Sequence, residues 1–134
     1  MATETIESNH HNSSCMHGGC IAAFALFVLS RVNEMEIEGS KGPLRVQIRI
    51  GIHTGSLAAG VIGTGINPRY CLFGDTVNFT SRLESTGKPF TIHTSEAMVG
   101  LLREHNDAFR VVPRAKKVTL KNRGEHQTYF VTGQ

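Results

Sequence analysis

Asn78 and Arg82 stand four residues apart in RYCLFGDTVNFTSRLES, residues 69–85, and their side-chain types suit a phosphorylated sugar. Four residues is about one helical turn, so a helix through this segment presents both on the same side. Arginine supplies a planar, permanently charged fork for phosphate oxygens, and the asparagine amide both donates and accepts, as a sugar hydroxyl requires. Helix stability alone explains neither choice: asparagine is an indifferent helix former, and leucine or lysine would serve at position 82. An exposed polar helix face is the plainer alternative, and the residue types alone leave it open.

The flanking sequence predicts how these two are held. RYCLF is a short strand, Gly74 a turn, and Asp75 to about Ser85 a helix with Asp75 as N-cap, its Val77 and Leu83 facing elsewhere to hold it down. Upstream, LRVQIRIGIH alternates Val46, Ile48, Ile50 and Ile52 with Arg45, Gln47, Arg49, Gly51 and His53, the clearest strand signal in the chain. His17 to about Glu36 reads as an apolar helix packed on a sheet, ended by GSKGP. PFTIHT is a strand, and Ser95 caps a helix to about Glu104. FRVV, KVTL and QTYFV are weaker strand signals, with a turn in KNRGEH. Residues 1–16 are expected to form a disordered leader and residues 17–134 the folded domain. The alternation of elements predicts an α+β domain with a mixed sheet covered by helices on one side.

Other candidate sites carry less. Gly55 and Gly60 have the first spacing of a phosphate loop, but Val61 stands where its lysine belongs, so close packing of small residues is the better account. His10, His11, Cys15, His17 and Cys20 are irregularly spaced for a zinc site and read as incidental to a helix entry. Cys71 on its own reads as a small core residue. Arg110, Arg114, Lys116, Lys117, Lys121 and Arg123 crowd one region of a chain whose net charge is only +3. With no Trp and two Tyr to stack bases, nucleic acid is disfavoured, and a solvated basic strand edge is the ordinary reading. Three cysteines make no disulfide framework and fit a reducing, cytoplasmic setting. The N-x-S/T triplets at Asn12 and Asn78 read as chance matches. The apolar run Cys20 to Leu29 is about half the length of a membrane span, so no membrane span is expected. The leader has no Lys or Arg of a signal peptide. At 134 residues, one domain is expected.

The motifs IRIGIHTG, PRYCLFGDTVN and SRLESTG, within residues 48–87, closely resemble the catalytic domain of class III nucleotide cyclases of the guanylate cyclase type. HGGCIAAFAL upstream is similar to that family's H-A-x-x-I-A-x-x-A-L helix, and LKNRG followed by TYFV continues the likeness over most of residues 17–131. The resemblance implies a ferredoxin-like fold and conversion of GTP to 3′,5′-cyclic GMP and pyrophosphate. It implies that Asn78 orients the ribose and that Arg82 stabilises charge on the α-phosphate. Cys71 and Arg69 fall at the positions that read guanine, and Lys121 at that of the lysine on the terminal phosphates. Aspartate, which would accept from an adenine amino group, is replaced by Cys71, removing a repulsion toward the guanine carbonyl.

Two departures bear on activity. Asn122 replaces a glycine of the family's K-G-K-G pattern. More important, the family's two metal-binding aspartates, on its first strand and in an E-T-I-G-D hairpin, have no recognisable counterpart. Glu4, Thr5 and Ile6 echo the hairpin, but Glu7 and Ser8 follow where Gly and Asp belong. The resemblance therefore implies a fragment or short isoform lacking the first strand and metal hairpin. It would be half of a site shared with a second cyclase subunit in a homo- or heterodimer, with magnesium or manganese bound mainly by that partner's aspartates, and inactive or very weak alone. A non-catalytic dimerisation or regulatory partner of a complete cyclase is the alternative.

Overall fold

The computed structural model of the chain describes residues 2–63, 65–105, 108–120 and 124–133. A long helix α1, Ala2–Asn33, leads into a hairpin of β1, Glu36–Gly39, and β2, Gly42–Arg45. β3, Ile50–Ile52, is followed by a second hairpin of β4, Ala58–Ile62, and β5, Arg69–Phe73, and then by helix α2, Asp75–Thr86. β6, Ile92–Ser95, precedes helix α3, Glu96–Arg103, and the described chain closes with β7, Phe109–Pro113, β8, Val118–Leu120, β9, Gly124–His126, and β10, Thr128–Gly133.

The main sheet has the order β3-β6-β10-β7. β3 and β6 are parallel, while β10 runs antiparallel to both β6 and β7. The α+β class with a mixed sheet thus stands. Strand alternation assigns each face. Ile50, Ile52, Ile92 and Val131 meet Ala22 and Ala25 of α1 and Met98 and Leu102 of α3, forming the main core. Each large apolar side chain buried there contributes about 1.5–3 kcal/mol. Residues between them face the other way. A Cβ on Gly51 would lie 2.5 Å from Glu84 N in α2, and His93 reaches the Leu83 carbonyl of the same helix. α1 and α3 therefore cover one face and α2 the opposite one, where the sequence predicts one-sided cover. The glycine in β3 makes that approach possible.

Several local expectations are revised. The strand predicted through Arg45–His53 is split: β2 pairs with β1 in its own hairpin, and residues 46–49 are irregular before β3. α1 takes in residues 2–16, where polar composition predicts irregular chain; no Pro or Gly interrupts them. Residues 4–8 accordingly lie in a helix rather than a hairpin. Met16–Asn33 is long and apolar enough to cross a membrane by length and composition, with 22% of it buried; one side of α1 packs on α3, β3 and β10, while Ile21, Phe24 and Phe27 are 48%, 60% and 56% exposed. Gly55 does pack closely, since a Cβ there would meet Thr76 Oγ1 at 2.6 Å, whereas Gly60 faces open space. Between α2 and β6, Phe90 adopts φ 55, a left-handed conformation unusual for a bulky residue. Its amide is held by the Ile48 carbonyl at 2.8 Å.

Candidate functional site

The strand, glycine and helix expected around Asn78 and Arg82 are all present. Gly74, at φ 125, makes the turn that β5 needs to enter α2 and occupies the N-cap position itself, so Asp75 is the first helical residue rather than the cap. Leu83, with 1% of its surface exposed, anchors the helix to the sheet. Val77 is half-buried, while Asn78 and Arg82, one turn apart, are both exposed. Among the described residues, neither side chain makes a hydrogen bond or an ion pair. Arg82 has no acidic partner on its own helix: Glu84 pairs with Arg49 of the 46–49 segment, Oε1 to Nη2 at 3.1 Å.

The two ends of α2 are fastened differently. At its start, Thr76 Oγ1 donates to the Ser56 carbonyl at 2.5 Å and Thr80 Oγ1 to the Thr76 carbonyl at 2.7 Å. The Phe79 ring lies between His53, with centroids 4.6 Å apart, and His126, at 5.5 Å. His53 Nδ1 is 2.6 Å from Ser95 Oγ. That hydroxyl, the expected cap of α3, accepts the Met98 N–H at 3.4 Å. With its one proton and second lone pair it can either donate to His53 Nδ1 or accept from it. Burial lowers the His53 pKa below the ordinary histidine value. At the far end of α2, His93 and Arg114 take its last carbonyls. His93 is likewise held below the ordinary histidine value, chiefly by burial, with Arg114 adding and the Leu83 carbonyl opposing.

Two depressions flank the first turn of α2. One, of about 230 Å³, is lined by His53, Asp75, Phe79, Ser95, Glu96 and His126. The other, of about 640 Å³, is open and bordered by Ser56, Leu57, Phe73 and Gly74. On β5, Arg69 and Cys71 are two residues apart and so share a face; Arg69 is exposed and Cys71 half-buried, a free thiol. Lys121 lies outside the described residues, as do Asn122 and Arg123 and the side chains of His10, His11 and Cys15. Arg114, counted in sequence among a solvated basic cluster, turns inward to α2. His53 and His93 were legible only as alternating strand positions; a histidine where an apolar strand should be buried was the available signal.

Among the described residues, no group of three or more His, Cys, Asp or Glu is placed to hold a metal ion. Asn78 offers an amide that can pair with a hydroxyl, and Arg82 a fork that can pair with an anion, both exposed on one helix.

The family model "Adenylate and Guanylate cyclase catalytic domain" matches residues 3–133. Guanylyl cyclase C of Rattus norvegicus is 47% identical over 117 residues, covering 87% of this chain and 11% of that protein. The guanylate cyclase domain of RhGC from Catenaria anguillulae, solved in complex with GTP, superposes with a TM-score of 0.74 at 35% identity over 88% of this chain and 60% of that one. A non-canonical dimeric guanylyl cyclase domain of the RhoGC fusion protein from Blastocladiella emersonii gives a TM-score of 0.68 at 33% identity, over 87% of this chain and 59% of that one. The chain thus spans about 11% of the length of the curated relative and about 60% of the solved domains.

Proposed function

The chain belongs to the adenylate and guanylate cyclase catalytic-domain family, and from that premise we propose that it supplies the sugar- and α-phosphate-handling half of a guanylate cyclase site. The reaction joins the ribose 3′-oxygen to the α-phosphorus of GTP and breaks the bond from that phosphorus to the bridging oxygen. Pyrophosphate leaves with the electron pair, the 3′-hydroxyl proton is released, and 3′,5′-cyclic GMP remains. Such a step depends on alignment and on offsetting charge at the phosphorus. Asn78 orients the ribose, and Arg82 stabilises the charge that builds on the α-phosphate oxygens. Arg69 and Cys71 read the guanine edge, and Lys121 holds the terminal phosphates.

The observation that carries this reading is the pairing of Asn78 and Arg82 on one exposed helix face, both without a side-chain partner among the described residues. A solvated helix face accommodates two such groups as well, but a ligand with a sugar next to a phosphate uses both. The solved relative in complex with GTP is consistent with the substrate, and the non-canonical dimer of another with pairing of such domains, although that domain is also solved as a monomer.

The described residues do not fit a magnesium or manganese site, which needs several oxygen ligands. In this reading the ion would be held mainly by aspartates of the partner subunit, the assembly is cytoplasmic, and the chain alone is inactive or very weak. The same lack of a ligand set favours a second reading, a non-catalytic partner that tunes a complete cyclase by dimerising with it. One reconstitution separates the two. This chain is mixed with a cyclase subunit that has the metal-binding aspartates but lacks the Asn/Arg pair, and cyclic GMP is assayed with magnesium or manganese. Recovered activity that Arg82→Ala lowers by about 100-fold or more supports the catalytic half-site; dimer formation with no activity supports the regulatory partner.

A further inference from the structure

We infer that His93 and Arg114 are positioning residues for Arg82, holding the last turn of α2 against the sheet and so setting where its guanidinium stands. The inference rests on the role given to Arg82 above. A helix ends with carbonyls that lack intrahelical partners, and a left-handed glycine is a frequent remedy. α2 does not use it, because the Gly87 that follows is extended, at φ −66 and ψ 161. The Gly87 N–H takes the Glu84 carbonyl at 3.0 Å, and side chains from two other segments take those of Leu83 and Thr86. His93 Nδ1 lies 2.8 Å from Leu83 O, and Arg114 Nη1 lies 2.6 Å from Thr86 O. The positive guanidinium also suits the negative end of the helix.

Each clamp residue is itself fixed. A carbonyl oxygen only accepts, so Nδ1 of His93 carries the proton and Nε2 accepts from the Thr128 hydroxyl at 2.8 Å. Arg114 Nη1 stands 3.4 Å from the same Nε2, and Gln127 Nε2 donates to the Arg114 carbonyl at 2.8 Å. The Phe130 ring stacks on His93 at 5.0 Å and 25°, with the Arg114 guanidinium 5.7 Å from its centroid. His93 and Thr128 are fully buried.

Leu83 directly follows Arg82, so its pinned carbonyl is one residue from the side chain that matters. The Arg82 carbonyl accepts from Thr86 Oγ1 at 2.7 Å, while its side chain has no partner among the described residues. Backbone placement alone therefore aims it. Asn78 lies a turn closer to the Thr76 and Phe79 attachments, which His93 and Arg114 do not touch. Loosening the clamp should displace the arginine more than the asparagine, and a misplacement of about 1 Å can cost about a hundredfold in rate.

The test uses His93→Leu, His93→Asn and Arg114→Gln in the reconstituted dimer. His93→Leu and Arg114→Gln should each lower kcat about tenfold while KM stays within about twofold. His93→Asn, whose amide nitrogen can stand in for Nδ1, should keep most of the activity. In an Arg82→Ala background, neither damaging substitution should lower the residual rate further. An equal loss in both backgrounds, or a rise in KM with kcat unchanged, overturns the inference. Should His93→Leu fail to fold, Arg114→Gln, at a half-buried position, decides alone. If the wild-type assembly makes no cyclic GMP, the role given to Arg82 fails, and the clamp is judged on the isolated chain by amide hydrogen exchange. Exchange at residues 83–87 should then speed about tenfold or more in Arg114→Gln with α3 unchanged. Uniform acceleration across α1, α2 and α3 overturns it.

Discussion

α2 is approached from two sides that differ in kind. Toward the sheet, its Leu83 is buried, its carbonyls are bonded by His93 and Arg114, and Gly51 lets it lie close. Toward the β4–β5 hairpin, the chain offers a two-stranded ribbon, one face of which carries Val61, Tyr70 and Leu72 at 67%, 71% and 48% exposed, with Ile62 and Phe73 on the other face. A two-stranded ribbon is marginal without cover, and a contiguous apolar patch of this kind marks a contact surface. The sheet side is buried within the chain; the ribbon side is exposed. The residues read as guanine-recognising, Arg69 and Cys71, belong to the exposed side, and the arginine read as catalytic stands on the helix whose last turn the buried side bonds.

Substitutions can break that contrast. The largest effect is expected from Arg82→Ala, which should lower cyclic GMP formation in the reconstituted dimer by about 100- to 1,000-fold, as loss of a charge-stabilising donor does, while leaving the denaturation midpoint of the isolated chain unchanged. Leu83→Ala should do the reverse, destabilising the isolated chain by about 2–5 kcal/mol in chemical denaturation. Tyr70→Ala on the ribbon should stay within about 0.5 kcal/mol in the same experiment yet weaken association with the partner subunit in sedimentation. A large stability loss from Tyr70→Ala would erase the distinction between the sides. Cys71→Asp should shift the preference from GTP toward ATP about tenfold in paired rate measurements.

A smaller effect is expected from pH. His53 and His93 both titrate below the ordinary histidine value in the folded chain, so the unfolded chain binds more protons once pH drops toward about 6.5. Stability is then fully present above that pH and declines as pH falls toward the folded values. Denaturation midpoints measured between about pH 8 and 5 should fall, and His93→Asn should flatten the slope. Arg49→Gln, which removes an exposed ion pair with Glu84, should change stability by about 0.5 kcal/mol or less.

What the sequence disclosed follows how local each cause is. The β5–Gly74–α2 unit was legible because strand alternation, a forced turn and helical spacing all act within a few residues, and the Ser95 cap for the same reason. The break between β2 and β3 was not, because Val46 and Ile48 alternate as a strand would but the ladder partner of β2 is β1, chosen by the hairpin at Gly42. The side on which α2 lies depended on Gly51, whose significance appears only once Thr80 and Glu84 stand over it. His93 and Arg114 were unreadable as a clamp because their bonds to α2 span 10 and 28 residues, and a lone arginine in a basic run looks solvated. The family resemblance supplied roles for Asn78, Arg82 and Cys71 that residue chemistry alone left undecided.

Gly51 sets one further condition. With a methyl group there, the backbone around Thr80 and Glu84 would have to rise, since the nearest atoms would be 2.8 Å and 2.5 Å away. These are main-chain atoms and cannot rotate aside as a side-chain tip can. The elevation of the guanidinium over the strand beneath it is therefore calibrated by a hydrogen atom, and the tolerance for lengthening that spacer is close to zero.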